Sequence, residues 1–430
     1  MPSTCPDRPC PTTGNNTDPG QRLRGRCLSP SQSETSMTIR RFDGTAIPKT
    51  IYSGPGCRSK MPAELDRLDA KRVLIISSTS VATKTPFLRD IQERLGERVV
   101  AVIDRVPSNL PVQAVRDAVG SAAEARPDAI VAIGGGIVHD MAKALAVMLP
   151  SGRDITEFVS RFEPPNTFHG IEVDTDPLPV LTVPTTFSAA DVVAGGAVTD
   201  VESHEKLIFV HPKLTPVAVF LDAEVVASTP ARILALSGMN AIHHCLEASY
   251  SKGAQPITDA FAFAALRQLL TVLPTFGPQG PAPALDIVQR AIDAASMSGL
   301  TYANSWLGIG HSVCHSLGGR FGLSHSAANA VMVLNSLRFN LEVAGDRIAA
   351  AARASGVSDA PDDATAAQAM IAAVEAVSDA IGAPKRLSEI GLEKGQSAVI
   401  TEDVLGDPQT FWNPRPPVTA EIVAWLDDAW

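Results

Sequence analysis

Apolar residues along this chain fall into two textures. Between Arg72 and Leu221, short and continuously apolar runs alternate with amphipathic stretches: Val73-Leu74-Ile75-Ile76, Val99-Val100-Ala101-Val102-Ile103, Ala129-Ile130-Val131-Ala132-Ile133, Val180-Leu181-Thr182-Val183 and Val217-Ala218-Val219-Phe220-Leu221. Runs this short and this uniformly apolar predict strands buried on both faces, and the helical spacing between them (around Pro86 to Leu95, and from Val112 to Ala123) makes successive strands parallel. Beyond about Thr229 strand signals almost vanish. Ala- and Leu-rich periodicity there predicts helices near 229–252, 256–273, 284–300, 303–319, 326–340, 342–354, 363–381 and 416–428. The expected fold class is α/β plus all-α: an N-terminal parallel-sheet, nucleotide-binding domain over 38–225, then a helical-bundle domain over 226–430, with the catalytic cleft between them. Residues 1–37 are rich in Pro, Ser, Thr, Gly and Asn without apolar periodicity, which predicts a disordered leader and makes Met37 a natural start.

Composition narrows the partners. The chain has 430 residues, 45% hydrophobic and 19% charged, with a formal net charge of -10. An acidic balance argues against nucleic acid or an anionic membrane surface, both of which demand basic patches, and leaves a small molecule as the expected partner. No run of eighteen apolar residues predicts a membrane span, and the leader lacks the apolar centre of a secretory signal, so a soluble cytoplasmic protein is expected. The six cysteines show neither zinc-ribbon nor thioredoxin-like spacing, and no disulfide framework is expected.

The chemistry concentrates in Gly310-His311-Ser312-Val313-Cys314-His315-Ser316-Leu317-Gly318-Gly319-Arg320-Phe321-Gly322-Leu323-Ser324-His325. His311 and His315 are four apart and project from one helix face, and the glycine-rich turn returns His325 toward them. Upstream, Asn240 and His244 have the same spacing. A strand followed by Gly134-Gly135-Gly136 and a helix lets backbone N–H groups meet a pyrophosphate; a tight turn explains the glycines equally well. Asp140 and Lys143 follow on one face of that helix, where a surface ion pair is the plainer alternative. Val183-Pro184-Thr185-Thr186-Phe187-Ser188-Ala189-Ala190-Asp191 is a polar turn after a strand, whose hydroxyls suit a ligand or merely close the turn.

Together these four segments resemble the iron-containing alcohol dehydrogenase superfamily, with glycerol dehydrogenases and, more distantly, dehydroquinate synthases, from about Ile47 to the C-terminus. The resemblance implies a cofactor pyrophosphate at Gly134, Gly135 and Gly136, with Asp140, Thr185, Thr186 and Ser78 around the cofactor. It implies metal positions at Asn240, His244, His311 and His325, with His315 beside the nicotinamide. Asn240 stands where metal-dependent members carry Asp, and an amide in place of the only anionic ligand weakens the hold on a divalent ion.

That Asn, the Gly-Met-Asn-Ala opening of its helix and Asn413-Pro414-Arg415-Pro416 resemble the maleylacetate reductase branch, which implies NADH- or NADPH-dependent reduction of maleylacetate to 3-oxoadipate in aromatic catabolism. On that reading no metal is required, and His315, His244, His311 and His325 stabilise the developing enolate and deliver a proton. Arg320, Arg415 and Lys206 are then expected to bind a dicarboxylate substrate, and family analogy implies a homodimer. Ser77-Ser78-Thr79-Ser80 follows the first strand of the nucleotide domain without an acidic residue, which leaves both cofactors open. Two departures border the cleft: Ile137-Val138-His139-Asp140 replaces a Ser-Thr-Thr-Gly type sequence, and Arg320 a small polar residue. The alternatives are a metal-dependent alcohol dehydrogenase or carbonyl reductase of the same superfamily, and a lyase-type relative resembling dehydroquinate synthase.

Overall fold

The computed structural model describes residues 46–163, 167–278 and 283–430. The expected leader, Met1–Met37, lies outside them.

Among the described residues ten strands form in chain order: β1 (Thr50–Ser53), β2 (Val73–Ser77), β3 (Val99–Ile103), β4 (Ala129–Gly134), β5 (Arg161–Glu163), β6 (Thr167–His169), β7 (Val180–Pro184), β8 (Gly195–Asp200), β9 (Glu205–Val210) and β10 (Ala218–Leu221). Six make one parallel sheet in the order β1-β10-β7-β4-β2-β3. The period-two side-chain rule divides β2 and β4 between two cores. Leu74, Ile76, Ile130 and Ala132 pack on one face with the Val112–Ala123 and Gly136–Ser151 helices. Val73, Ile75, Val131 and Ile133 pack on the other with Val81, Leu88 and Ile91 of the Thr79–Lys84 and Phe87–Leu95 helices. The loops after the neighbouring strands β2 and β4 therefore leave toward opposite faces, opening a crevice at their C-terminal ends, which is where ligands sit in doubly wound sheets.

The chain after Pro230 is helical. The Ala231–Tyr250 helix is buried over almost its whole length and packs with Pro256–Val272, Leu285–Tyr302, His325–Ser355 and Asp363–Ala380 around one apolar core, to which Phe187, Val219 and Leu221 also belong. The stretch Pro256–Thr275 is apolar enough to cross a membrane by composition. Here Ala262, Ala265, Leu266, Leu269 and Val272 are core residues instead. A second cluster joins the Ile309–Gly319, Ser397–Gly406 and Thr419–Ala429 helices.

Of the elements that differ from the sequence pattern, three do so for a physical reason visible in the packing. The predicted helices 326–340 and 342–354 are one helix with a kink at Ala344, whose φ of -130 departs from helical geometry. The helix predicted from 303 begins only at Ile309, because its first N–H groups are captured by side chains from elsewhere. The antiparallel hairpin of β8 and β9 depends on a missing side chain: a Cβ on Gly195 would sit 2.1 Å from the Phe209 carbonyl oxygen.

Candidate active site

The Ala231–Tyr250 helix carries Asn240, His243, His244 and Glu247, all buried. Four polar groups in the core are expensive unless each is bonded or used. Two are bonded in full. His243 Nδ1 lies 2.7 Å from Asn329 Oδ1 and its Nε2 2.9 Å from Ser336 Oγ. Glu247 accepts from Gly308 N (3.1 Å), Gly310 N (2.8 Å), His311 N (3.3 Å) and His311 Nδ1 (2.6 Å). Its carboxylate thus caps the Ile309–Gly319 helix, where an anion is favoured by the exposed N–H groups. Glycine is needed for that approach, since a Cβ on Gly310 would lie 2.6 Å from His243 Nε2 and 2.8 Å from Glu247 Oε1. On the opposite side Asn413 Oδ1 accepts from Ile309 N (3.3 Å), and Asn413 exchanges hydrogen bonds with buried Asn340.

The charge states follow from this packing. Burial alone would push the Glu247 carboxyl up, but the imidazoles of His243 and His311 reverse that and hold it well below the usual carboxylate range. Burial and the neighbouring His243 lower His311 to about 4. An ionised Glu247 accepting from a neutral His311 fixes the His311 proton on Nδ1 and leaves Nε2 as a lone-pair donor.

Among the buried side-chain atoms without a hydrogen-bond partner in the described residues are three of this cluster, Asn240 Oδ1, His244 Nδ1 and His311 Nε2. The His244 and His311 rings stack at 5.0 Å. His325, exposed at the start of its helix, is 6.2 Å from the His311 ring and 6.1 Å from the parallel His315 ring. The four expected histidines are therefore brought together, with Asn240 one turn from His244. An amide oxygen and imidazole nitrogens left unpaired in the core are what a first-row divalent ion satisfies.

His315 lines a cavity of about 570 Å³ with Lys206, Phe162, Ser312, Asp403 and Asp407. Its rim carries Glu163, Asp200, Glu205 and Glu402 against Arg161, so it is acidic. Of the three expected substrate cations, Lys206 lies here and donates to Asn109 O and Thr199 Oγ1, each at 3.0 Å. The other two are spoken for. Arg320 holds Asp403 through Nε (2.8 Å) and Nη2 (2.5 Å). Arg415 is not brought to the cluster: it pairs with Glu421 at 2.8 Å, donates to Phe339 O and stacks on the Phe339 ring. The Asn413-Pro414-Arg415 segment is a clip for the histidine helix and the C-terminal helix, and its cation has no free face toward the cavity.

At the sheet crevice, Gly134 ends β4 and Gly135 caps the Gly136–Ser151 helix. A Cβ on Gly134 would meet Val138 Cγ2 at 2.5 Å, and one on Gly136 would meet Ser188 Oγ at 3.4 Å. The glycines let strand, helix and the Thr185–Ser188 turn close up around a helix N-terminus, an anion site that fits a dinucleotide pyrophosphate. Thr185 N bonds Gly134 O at 2.9 Å, and Thr186 faces Gly135. Ser78, at the end of β2, caps its own helix through Val81 N. Asp140 turns away: its carboxylate rests on β8, where a Cβ on Gly196 would lie 2.6 Å from Oδ1. Lys143 is buried and donates to Ala190 O and Gly195 O, with burial lowering it to about 8. His139 donates from Nε2 to Gly134 O at 3.0 Å beneath the turn.

Two family models match the chain, iron-containing alcohol dehydrogenase over residues 48–223 and the Fe-containing alcohol dehydrogenase family C-terminal region over 234–430. The protein belongs to the iron-containing alcohol dehydrogenase family. This alcohol dehydrogenase family member is 29% identical over 394 residues to 1,3-propanediol dehydrogenase of Klebsiella pneumoniae, covering 90% of this chain and 98% of the relative. It is 27% identical over 380 residues to maleylacetate reductase 1 of Cupriavidus pinatubonensis, covering 88% and 94%. The crystal structure of a 1,3-propanediol oxidoreductase superposes with a TM-score of 0.83 at 28% identity, covering 91% of this chain and 100% of that one.

Membership in an iron-containing family corrects one expectation. A metal-free enzyme was read from Asn240 and the resemblance to the maleylacetate reductase branch, yet His243, Glu247 and His311 lie buried with ligand atoms all within 4.8 Å of one another, a group able to hold an ion. Within it Glu247 and His243 are already hydrogen-bonded, so His311 Nε2 is the free donor, joined by His244 and Asn240. The anion absent at residue 240 is present one shell out, on Glu247. Asn240→Asp is expected to raise affinity for Zn²⁺ or Fe²⁺ by on the order of tenfold, through direct charge attraction. Equilibrium dialysis against a metal indicator measures it, and unchanged affinity would place the ion away from residue 240.

Neither His243, Glu247 nor Asp407 was singled out from sequence. Glu247 had a signal, falling three residues after His244 on the same face as Asn240. Asp407 had none, since it reaches His315 across 92 residues.

Proposed function

We propose that this iron-containing alcohol dehydrogenase family member interconverts a small carbonyl compound and its alcohol with NAD(H) or NADP(H). The observation that carries the reading is a set of buried, unpartnered lone-pair atoms, Asn240 Oδ1, His244 Nδ1 and His311 Nε2, with the His244 and His311 rings stacked at 5.0 Å near a cavity-lining histidine. When bound, the nicotinamide supplies or accepts hydride, and a divalent ion at Asn240, His244, His311 and His325 supplies a Lewis acid for the substrate oxygen. The remaining work belongs to the chain. The glycine turn and the helix starting at Gly136 anchor the dinucleotide, with Thr185, Thr186 and Ser78 around it. His315 exchanges a proton with the substrate oxygen from its Nε2, and Lys206 orients the polar end of the substrate. Two committed arginines and an acidic rim favour an uncharged substrate over a dianion, by like-charge exclusion.

One observation favours a second reading, reduction of maleylacetate. The chain is 27% identical over 380 residues to maleylacetate reductase 1 of Cupriavidus pinatubonensis, and an ion held through the Asn240 amide rather than a carboxylate would keep more of its positive charge for a developing enolate. Oxidation of NADH and NADPH by purified, metal-analysed enzyme, with 3-hydroxypropanal and related short aldehydes beside maleylacetate, tests both. Aldehyde turnover that disappears with chelator and returns with iron or zinc supports the first reading; preferential turnover of maleylacetate moves the assignment to the second. Product formed without net cofactor oxidation would sink both in favour of lyase chemistry.

A further inference from the structure

The carboxylates nearest the cavity-lining histidine do different jobs. Asp407 Oδ2 lies 2.8 Å from His315 Nδ1, while its Oδ1 accepts from Gln409 N (2.8 Å) and Ser312 Oγ (3.1 Å). Thr410 Oγ1 braces the arrangement, 2.8 Å from Ser312 Oγ. Both oxygens are therefore occupied, and the side chain is held in one orientation at the start of the Pro408–Trp412 turn. Asp403, the other acid on this wall, is bound by Arg320 and accepts from Ser316 Oγ at 2.6 Å, so it does not compete for the imidazole. Arg320, expected to meet substrate, is spent on keeping that second carboxylate away.

We infer that Asp407 is a positioning residue for His315, fixing the ring proton on Nδ1 so that Nε2 faces the substrate, and stabilising the imidazolium that forms. A carboxylate on one imidazole nitrogen sets the tautomer and basicity of the other. In the oxidising direction the substrate C–H bond breaks with its electron pair leaving as hydride to the oxidised nicotinamide. The O–H bond breaks with its proton passing to Nε2, and the C=O π bond forms between the two; reduction is the reverse. This inference rests on the oxidoreductase reading above, and goes beyond it in naming what orients the proton carrier.

The test has two independent readouts on the metal-loaded enzyme. Nitrogen-15 NMR of the His315 ring reads the tautomer without any substrate: protonated Nδ1 is expected in the parent and a shift toward protonated Nε2 in Asp407→Ala. Asp407→Asn, which keeps one acceptor oxygen but loses the charge and turns its amide N–H toward one of the two donor sets, is expected to lower kcat at least about tenfold while leaving cofactor KM unchanged. The double variant Asp407→Asn/His315→Gln is expected to be no slower than His315→Gln alone, as for two groups acting as one unit. An unchanged tautomer in Asp407→Ala, parental kcat in Asp407→Asn, or multiplicative losses in the double variant each overturn the inference. Absence of turnover by the parent with either substrate class is a separate outcome, which removes the oxidoreductase reading itself, while the NMR result still decides the role of Asp407 toward His315.

Discussion

Replacement of Glu247 by glutamine is expected to lower the affinity for a divalent ion by about 10–100-fold, the usual effect of removing the carboxylate behind a ligating imidazole. The same change should cost about 1–3 kcal/mol of folding stability, because it turns an amide N–H toward backbone donors that a carboxylate had satisfied. Four donors meet Glu247, from Gly308, Gly310 and His311 backbone and the His311 ring. Of the two effects the loss of metal is the diagnostic one, since a mere helix cap would lower stability and leave the ion bound. Titration calorimetry with Zn²⁺, beside urea unfolding of the metal-free protein, separates them. Parental metal affinity in a destabilised variant would reduce Glu247 to a cap.

His315→Gln is expected to act in the opposite sense, sparing the ion and stopping the proton. Its ring lines the cavity, is 6.1 Å from the His325 ring, and spends Nδ1 on Asp407. Loss of a positioned acid–base group costs about 10²–10⁴-fold in rate. That loss should appear in kcat, with cofactor binding measured by fluorescence quenching held at the parental value. A variant within threefold of the parent would move proton delivery to His325 or to solvent.

These two residues also show how far the sequence could be read. His315 stood out because dense imidazoles in a glycine-rich stretch are rare, and strands β2, β3, β4, β7 and β10 stood out because uniform apolar runs admit few other interpretations. Glu247 was on a legible helix face but looked like one more polar position in a long helix; only the arrival of the Gly308–His311 backbone shows it to be a cap. Arg320 and Arg415 were misread for the converse reason. A cation beside a recognised motif looks like a substrate contact until the fold supplies Asp403 and Glu421. The metal was misjudged because Asn240 was weighed without the buried carboxylate that stands behind His311. Local spacing reports what a helix face offers; which face meets which loop is decided by packing across a hundred residues.

The Asn413 clip reaches back to Ile309 from near the end of the chain, and Asp407 does the same for His315. During synthesis the nucleotide-binding sheet and all four histidines leave the ribosome before either of these residues has been made. A nascent chain can thus form its parallel sheet early, while the His315 imidazole has no carboxylate partner until the last stretch is translated and docked. Order at the histidine helix is therefore completed late in synthesis, by residues that contribute nothing to the sheet.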